Sequence, residues 1–176
     1  MGEAGAASTG DGAVTVREAE PAELGSIRDI YNAVVEHSLA VWSERAVDAA
    51  ERRSWFADKR AAKEPVLVAV AEGEILGFAT YGRFRNHSGY DGTVEHTLHV
   101  REGARDAGAG SLLLEAIIDR ARTAGKHVIV AGVGAQNEGS LRFHRRHGFT
   151  EVGRMPEVGR KFDRRLDLVL MQRMLG

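Results

Sequence analysis

The chain has 176 residues, enough for one domain, and its 43% hydrophobic and 28% charged composition is that of a globular protein, not a disordered one. With 24 basic and 25 acidic side chains the formal net charge is −1, which argues against a protein that coats nucleic acid. The absence of cysteine excludes disulfides, thiolate zinc sites, iron–sulfur ligation and cysteine nucleophiles.

Residues 1–13 are rich in Gly and Ala, with neither a basic start nor a long apolar core. They read as a flexible tail ahead of a single domain over 14–176, and not as a secretory signal. Ala6 stands where a myristoylation site needs Ser or Thr. The longest clean apolar run, Val66–Ala71, is far short of the ~20 residues that a bilayer helix needs. No membrane span is expected, and a cytoplasmic location fits.

Val14-Thr15-Val16-Arg17 alternates as a short first strand does. Leu24, Ile27, Ile30, Tyr31 and Val34 recur at helical spacing behind Pro21, which predicts an amphipathic helix over 21–37. A second helix is expected over 47–62, carrying Trp55 and Phe56 and ending before Pro65. The intervening loop holds Val41-Trp42, where Trp42 reads either as core or as the wall of a ligand pocket. Val66–Ala71 and Ile75–Tyr81 flank Glu72-Gly73-Glu74 as a β-hairpin. Residues 83–92 are polar and punctuated by Gly, hence a loop.

The strand predicted over 93–101 has two unlike faces: Val94, His96, Leu98 and Val100 on one, Glu95, Thr97 and His99 on the other. A strand with one polar face, ending near a Gly-rich loop, is a plausible site wall. A helix is expected over 112–124 and stops at Gly125. A buried strand follows over 127–134, then a short helix over 137–147 with Asn137 as N-cap and Gly148 at its end. Strands over 149–155 and 166–174 close the chain, with 157–165 between them. The expected architecture is an α/β (α+β) domain, a mixed sheet interleaved with helices.

Arg105-Asp106-Ala107-Gly108-Ala109-Gly110-Ser111 follows a strand and opens a helix. Two readings stand for it. Backbone N–H groups bared by glycines at a helix N-terminus make an anion site, and the same composition also suits an ordinary strand–helix turn. There is no P-loop pattern, and the loop comes too late in the chain for a dinucleotide fingerprint of the first βα unit. His96-x-x-His99 places its two rings on opposite strand faces. His144-x-x-His147 lacks a nearby third ligand, so no metal is expected. The basic cluster Arg142, Arg145, Arg146 and Arg154 reads as a helix surface, or as a contact for a ligand phosphate.

Arg105-x-x-Gly108-x-Gly110 resembles the pyrophosphate loop of the GNAT superfamily of acyl-CoA-dependent N-acetyltransferases. Asn137-x-x-Ser140-x-x-x-His144-x-x-x-Gly148-Phe149 resembles the second signature of that fold. Thr93-Val94-Glu95-His96-Thr97, Gly125-Lys126-His127-Val128, Val158-Gly159-Arg160-Lys161-Phe162-x-x-x-Leu166-Asp167-Leu168 and Ile30-Tyr31-Asn32 with Val41-Trp42 look like the phosphinothricin and methionine sulfoximine acetyltransferase branch. The similarity runs over residues 14–174.

The resemblance implies a mostly antiparallel central sheet flanked by helices. It also implies acetyl-CoA as co-substrate, a small amino-acid-like amine as acceptor, and a homodimer with 157–165 near the partner's site. It implies that Leu98, His99 and Val100 hold the pantetheine arm through their backbone. Arg105, Asp106, Ala107, Gly108, Ala109, Gly110 and Ser111 would hold the diphosphate, and Asn137 and Ser140 would complete the cofactor contacts. Glu95 is implied as general base and His144 as a second catalytic group. Arg85, Asn86, His87 and Tyr90, together with Glu95, His96 and Thr97, are implied as acceptor contacts. The alternatives are a GNAT enzyme acting on a peptide or protein amine, and a non-catalytic acyl-CoA-binding domain. Departures from the branch are Asp106 and Ala107, where Gly and a basic residue are usual, His99 in place of a common Tyr, and Asp163 and Arg165 in place of Gly and Trp.

Overall fold

The computed structural model describes residues 12–104 and 107–176. Its elements, in chain order, are β1 (Thr15–Glu18), α1 (Leu24–His37), α2 (Ala49–Ala61), β2 (Val66–Ala71), β3 (Glu74–Arg83), β4 (Thr93–Val100), α3 (Ala109–Thr123), β5 (Val128–Gly134), α4 (Glu138–Arg146), β6 (Thr150–Lys161) and β7 (Arg164–Met174). The seven strands form one sheet in the order β1-β2-β3-β4-β5-β7-β6. Only the β4–β5 pair is parallel; the pairs β1–β2, β2–β3, β3–β4, β5–β7 and β6–β7 are antiparallel.

Strand alternation sends side chains to two helical layers. On one face Leu113, Leu114, Ile117 and Ile118 of α3 pack on Leu67, Ala79, Val94, Ile129 and Val169. On the other, Leu24, Ile27 and Ile30 of α1 and Phe56 of α2 pack on Val66, Val68 and Phe78. The helical stripe of 21–37 is therefore a core face. Its first turn is a short 3₁₀ segment, Pro21–Glu23, closed by a reciprocal capping box between Glu20 and Glu23. No helix among the described residues is long and apolar enough to cross a membrane.

The segment 157–165 differs from its expectation. It is not a separate connection: β6 continues to Lys161 and turns within two residues, Phe162 and Asp163, at φ 48° and 57°. Irregularities between Glu151 and Gly153 and between Met155 and Gly159 break the alternation, which hides this strand in the sequence. Pro156 is tolerated because β6 is an edge strand.

The hairpin tip also grips the connection between α1 and α2. Lys161 is fully buried, and its ammonium donates to the carbonyls of Val35 (2.5 Å), Ser38 (2.7 Å) and Val41 (2.7 Å). Phe162 N donates to Glu44 Oε1 at 2.7 Å. A Cβ on Gly159 would overlap the ring of Trp42, so the indole lies flat on bare backbone. Trp42 is half-buried and held by its own Nε1 bond to Leu39 O. Its contacts are those of a strap holding a loop, not of the central core.

Candidate active site

Strands β4 and β5 share three rungs, Thr93 with Val128, Val94 with Ile129 and Glu95 with Val130, and then part. Beyond that point β4 pairs only with β3 as far as Val100, and β5 only with β7 as far as Gly134. Among the described residues, one edge of β4 over residues 96–100 is therefore left without a strand partner. Helices α3 and α4 begin just beyond the carboxyl ends of these two parallel strands, so both N-termini open on the same crevice. This is where open α/β sheets bind ligands.

Glu95 sits on the last shared rung. It is half-buried, and its carboxylate lies over Gly132 of β5, where an added Cβ would be 3.0 Å from Oε1. Among the described residues no side chain donates a hydrogen bond to it. Burial raises its pKa above the ordinary glutamate value, and the positive charge of Arg85 offsets part of that rise. Gly132 is a site feature that motif reasoning missed. Its signal is a bare glycine inside the apolar strand Val-Ile-Val-Ala-Gly-Val-Gly, where close approach of another group is the usual reason.

The motif assigns His96 to the acceptor contacts, but the structure turns it to the opposite face from Glu95. His96 is buried, with its ring 5.6 Å from that of Phe149 and 5.2 Å from that of His144. His144 Nδ1 lies 2.8 Å from the carbonyl of Ser140 and so carries a proton. Its Nε2, 3.2 Å from His96 Nε2, is then the acceptor, and His96 is the Nε2–H tautomer. Both nitrogens of His144 are thus engaged within the protein. His96 Nδ1 is left buried with no partner. Burial, and then the neighbouring His144 and His99, push His96 down to about 3. Burial also lowers His144, against the opposing pull of the Ser140 carbonyl.

Thr97 and His99 do share the face of Glu95. Thr97 is exposed, and His99 packs edge-on to Tyr31 with ring centroids 6.0 Å apart. Burial and the charge of Arg52 push His99 down to about 4, so it is neutral. Leu98 and Val100 direct their side chains into the α3 layer, which leaves only their backbone to a ligand.

Arg105 and Asp106 lie outside the described residues. Ala107 donates to Ala104 O, and Gly108 caps α3 at φ 76°, a left-handed conformation that a side chain would strain. Helix α3 begins at Ala109, three residues earlier than its apolar stripe predicts, so Ala109, Gly110 and Ser111 form its first turn. Helix geometry leaves such N–H groups without intrahelical acceptors. Ser111 Oγ is 3.1 Å from His147 Nε2, and His147 Nδ1 is 2.9 Å from Glu115 Oε1. His147 therefore ties the start of α3 to the end of α4. Asn137 Oδ1 accepts from Ser140 N at 3.1 Å as the N-cap of α4, which leaves its amide NH₂ for other partners.

Arg85, Asn86, His87 and Tyr90 lie together in an exposed loop between β3 and β4. The Arg85 guanidinium stacks 4.3 Å from the Phe84 ring, which also meets Tyr90 at 5.9 Å. Its Nη1 donates to the carbonyl of Phe84 at 3.1 Å, and its charge is felt by Glu95. A buried carboxylate, a free strand edge and a glycine-opened helix N-terminus in one crevice suit proton transfer beside an extended acyl carrier with an anionic end.

Known proteins share this architecture. A methionine sulfoximine/methionine sulfone acetyltransferase of Pseudomonas aeruginosa is 46% identical over 159 residues, covering 90% of this chain and 92% of that protein. A phosphinothricin N-acetyltransferase of Streptomyces coelicolor is 35% identical over 170 residues, covering 94% and 99%. The structure of yncA from Salmonella typhimurium, described as an acetyltransferase with its cofactor acetyl-CoA, superposes with a TM-score of 0.90 at 42% identity, covering 93% of this chain and 95% of that one. The model of the acetyltransferase (GNAT) family matches residues 27–149, and the chain belongs to that family.

Proposed function

We propose that this acetyltransferase moves the acetyl group of acetyl-CoA to the amine of a small amino-acid-like acceptor, of the methionine sulfone, methionine sulfoximine or phosphinothricin kind. The relatives named above support the acceptor class. The observation that carries the mechanism is Glu95, a half-buried carboxylate with raised pKa where β4 and β5 part.

An α-amine is protonated at neutral pH and has no lone pair to attack with. Glu95 takes that proton, directly or through a water. Its raised pKa makes it a better base than an exposed glutamate, and such positioned bases contribute ~10²–10⁴-fold. Acetyl-CoA is the co-substrate and supplies the activated acyl group. The unpaired β4 edge beyond Glu95 offers backbone groups to the acyl carrier and to the charge that develops on the acyl oxygen. The first turn of α3, with Gly108 and Gly110, and the amide of Asn137 are the remaining cofactor contacts. Arg85 provides a planar fork for the acceptor carboxylate. His144 acts by position: with both nitrogens engaged, it supports α4 and not a proton transfer.

The same reading includes a homodimer. Val152, Met155, Val158 and Phe162 are exposed large hydrophobics on the edge strand β6 and its turn, a surface that a second copy would cover. Light scattering at micromolar concentration should give twice the 19.1 kDa chain mass, and a monomer would count against it.

The acceptor assignment is tested by thiol release from acetyl-CoA over a panel of methionine sulfone, methionine sulfoximine, phosphinothricin, ordinary amino acids and a peptide. Turnover of the amino-acid analogues is expected. Turnover of the peptide alone would move the enzyme to a protein-acetylating role. Thermal stabilisation by acetyl-CoA without any turnover would leave a binding domain.

A further inference from the structure

Arg52 has an unusual place. It lies on α2 four residues before Phe56, on the face turned to the sheet, and is only 5% exposed. Its guanidinium carbon is 4.6 Å from the ring centroid of Tyr31 and 4.6 Å from that of Trp55. Its Nε is buried with no hydrogen-bond partner, and among the described residues no carboxylate pairs with it. A buried guanidinium without a counter-ion carries a large desolvation cost, of which two aromatic faces repay only a part. Burial accordingly lowers its pKa. His99 stands next in the same cluster, packed against Tyr31, and its Nε2 is also buried with no partner. A buried donor and a buried imidazole nitrogen, both unanswered, are what a site looks like without its ligand. Tyr31, Trp55 and His99 are half-buried, so the cage is open to solvent on one side.

His99 of the cage also shares a strand face with the base. Glu95 and His99 are four residues apart on one face of β4, about 13 Å along a strand. In an amino acid with an oxidised group at its γ-substituent, about 6 Å separates the amine nitrogen from the terminal oxygen, across five bonds. One hydrogen bond of about 3 Å at each end brings the span to about 12 Å.

We propose that Arg52, held between Tyr31 and Trp55 with His99 beside it, recognises the tetrahedral oxo group at the side-chain end of the acceptor while Glu95 receives its amine. The group is a sulfone, sulfoximine or phosphinate, which presents two electron-rich atoms on one centre to the planar guanidinium fork. Neutral His99 can add a further hydrogen bond. This specificity device rests on the amino-acid-acceptor reading and separates the roles of two arginines: exposed Arg85 for the carboxylate, caged Arg52 for the distal group.

The test compares kcat/KM for L-methionine sulfone and L-methionine, which differ only in the two oxygens. Wild type should favour the sulfone. In Arg52→Met the sulfone-to-methionine ratio should fall ten-fold or more, mainly through KM for the sulfone. Arg52→Lys, which keeps the charge and loses the fork, should fall between. Should Arg52→Met fail to fold by circular dichroism, the ratio in Arg52→Lys decides. An unchanged ratio in a folded variant overturns the proposal and leaves the acceptor class standing. Wild type acetylating neither compound overturns both.

Discussion

In the proposed mechanism Glu95 and Gly132 work as one unit although they stand on different strands. The carboxylate lies close over β5 where Gly132 carries no Cβ, and an added Cβ would crowd Oε1 at 3.0 Å. Gly132→Ala should push Oε1 aside in an otherwise intact fold and lower kcat by ~10-fold, since general-base catalysis depends on placement within hydrogen-bond reach. The check is kcat with an unchanged thermal midpoint; equal activity would show that the carboxylate acts from elsewhere. The place of Glu95 on the polar face of its strand was legible from alternation, and its proposed role came from the resemblance. Gly132 was visible only as an odd glycine, because its partner arrives across a parallel pairing with no local signature. The two histidines show the opposite limit. The resemblance implied an acceptor contact at His96 and a catalytic group at His144, whereas packing against Phe149 and each other turned both inward.

The β6–β7 hairpin was only partly readable. Its flanks appeared as strands, and its middle did not, because irregular pairing and Pro156 destroy the period-two pattern. What it does depends on one buried ammonium. Lys161→Met should leave three carbonyls of Val35, Ser38 and Val41 without their donor, at roughly 1–3 kcal/mol for a buried unsatisfied group, reduced where water enters. Urea unfolding should report a loss of about 3 kcal/mol, and Trp42 fluorescence should shift to the red as the indole leaves Gly159. A variant as stable as wild type, with unshifted emission, would remove the strap from the account. The stripe of α2 carried a readable warning too: Arg52 precedes Phe56 by one helical turn, so a charge falls on an apolar face.

Across the molecule, burial of neutral histidines links stability to pH. His96 is held at about 3 and His99 at about 4, against 6.5 when free. The unfolded chain therefore binds protons that the folded chain refuses. Their contribution is fully present above about pH 6.5 and is lost as pH falls towards those lower values, at roughly 1 kcal/mol per pH unit for each. Unfolding free energies measured at pH 7.5, 6 and 5 should fall steadily below pH 6.5; a flat profile would mean that both rings titrate normally. The fold class and the order of elements followed from periodicity and from two dispersed signatures. The splay of β4 from β5 did not, since it is a property of pairing that no single strand reveals.

In the proposed mechanism Glu95 is the group that frees the acceptor amine. The most direct measurement is the initial rate of thiol release from acetyl-CoA with L-methionine sulfone, for wild type and Glu95→Gln, between pH 5.5 and 9.5. Wild-type activity should climb with pH as more of the acceptor amine loses its proton. Glu95→Gln should bind acetyl-CoA normally and be ~10²-fold slower at pH 7, with the gap narrowing towards pH 9.5 where free amine becomes abundant. Equal rates for the two proteins at pH 7 would contradict the mechanism.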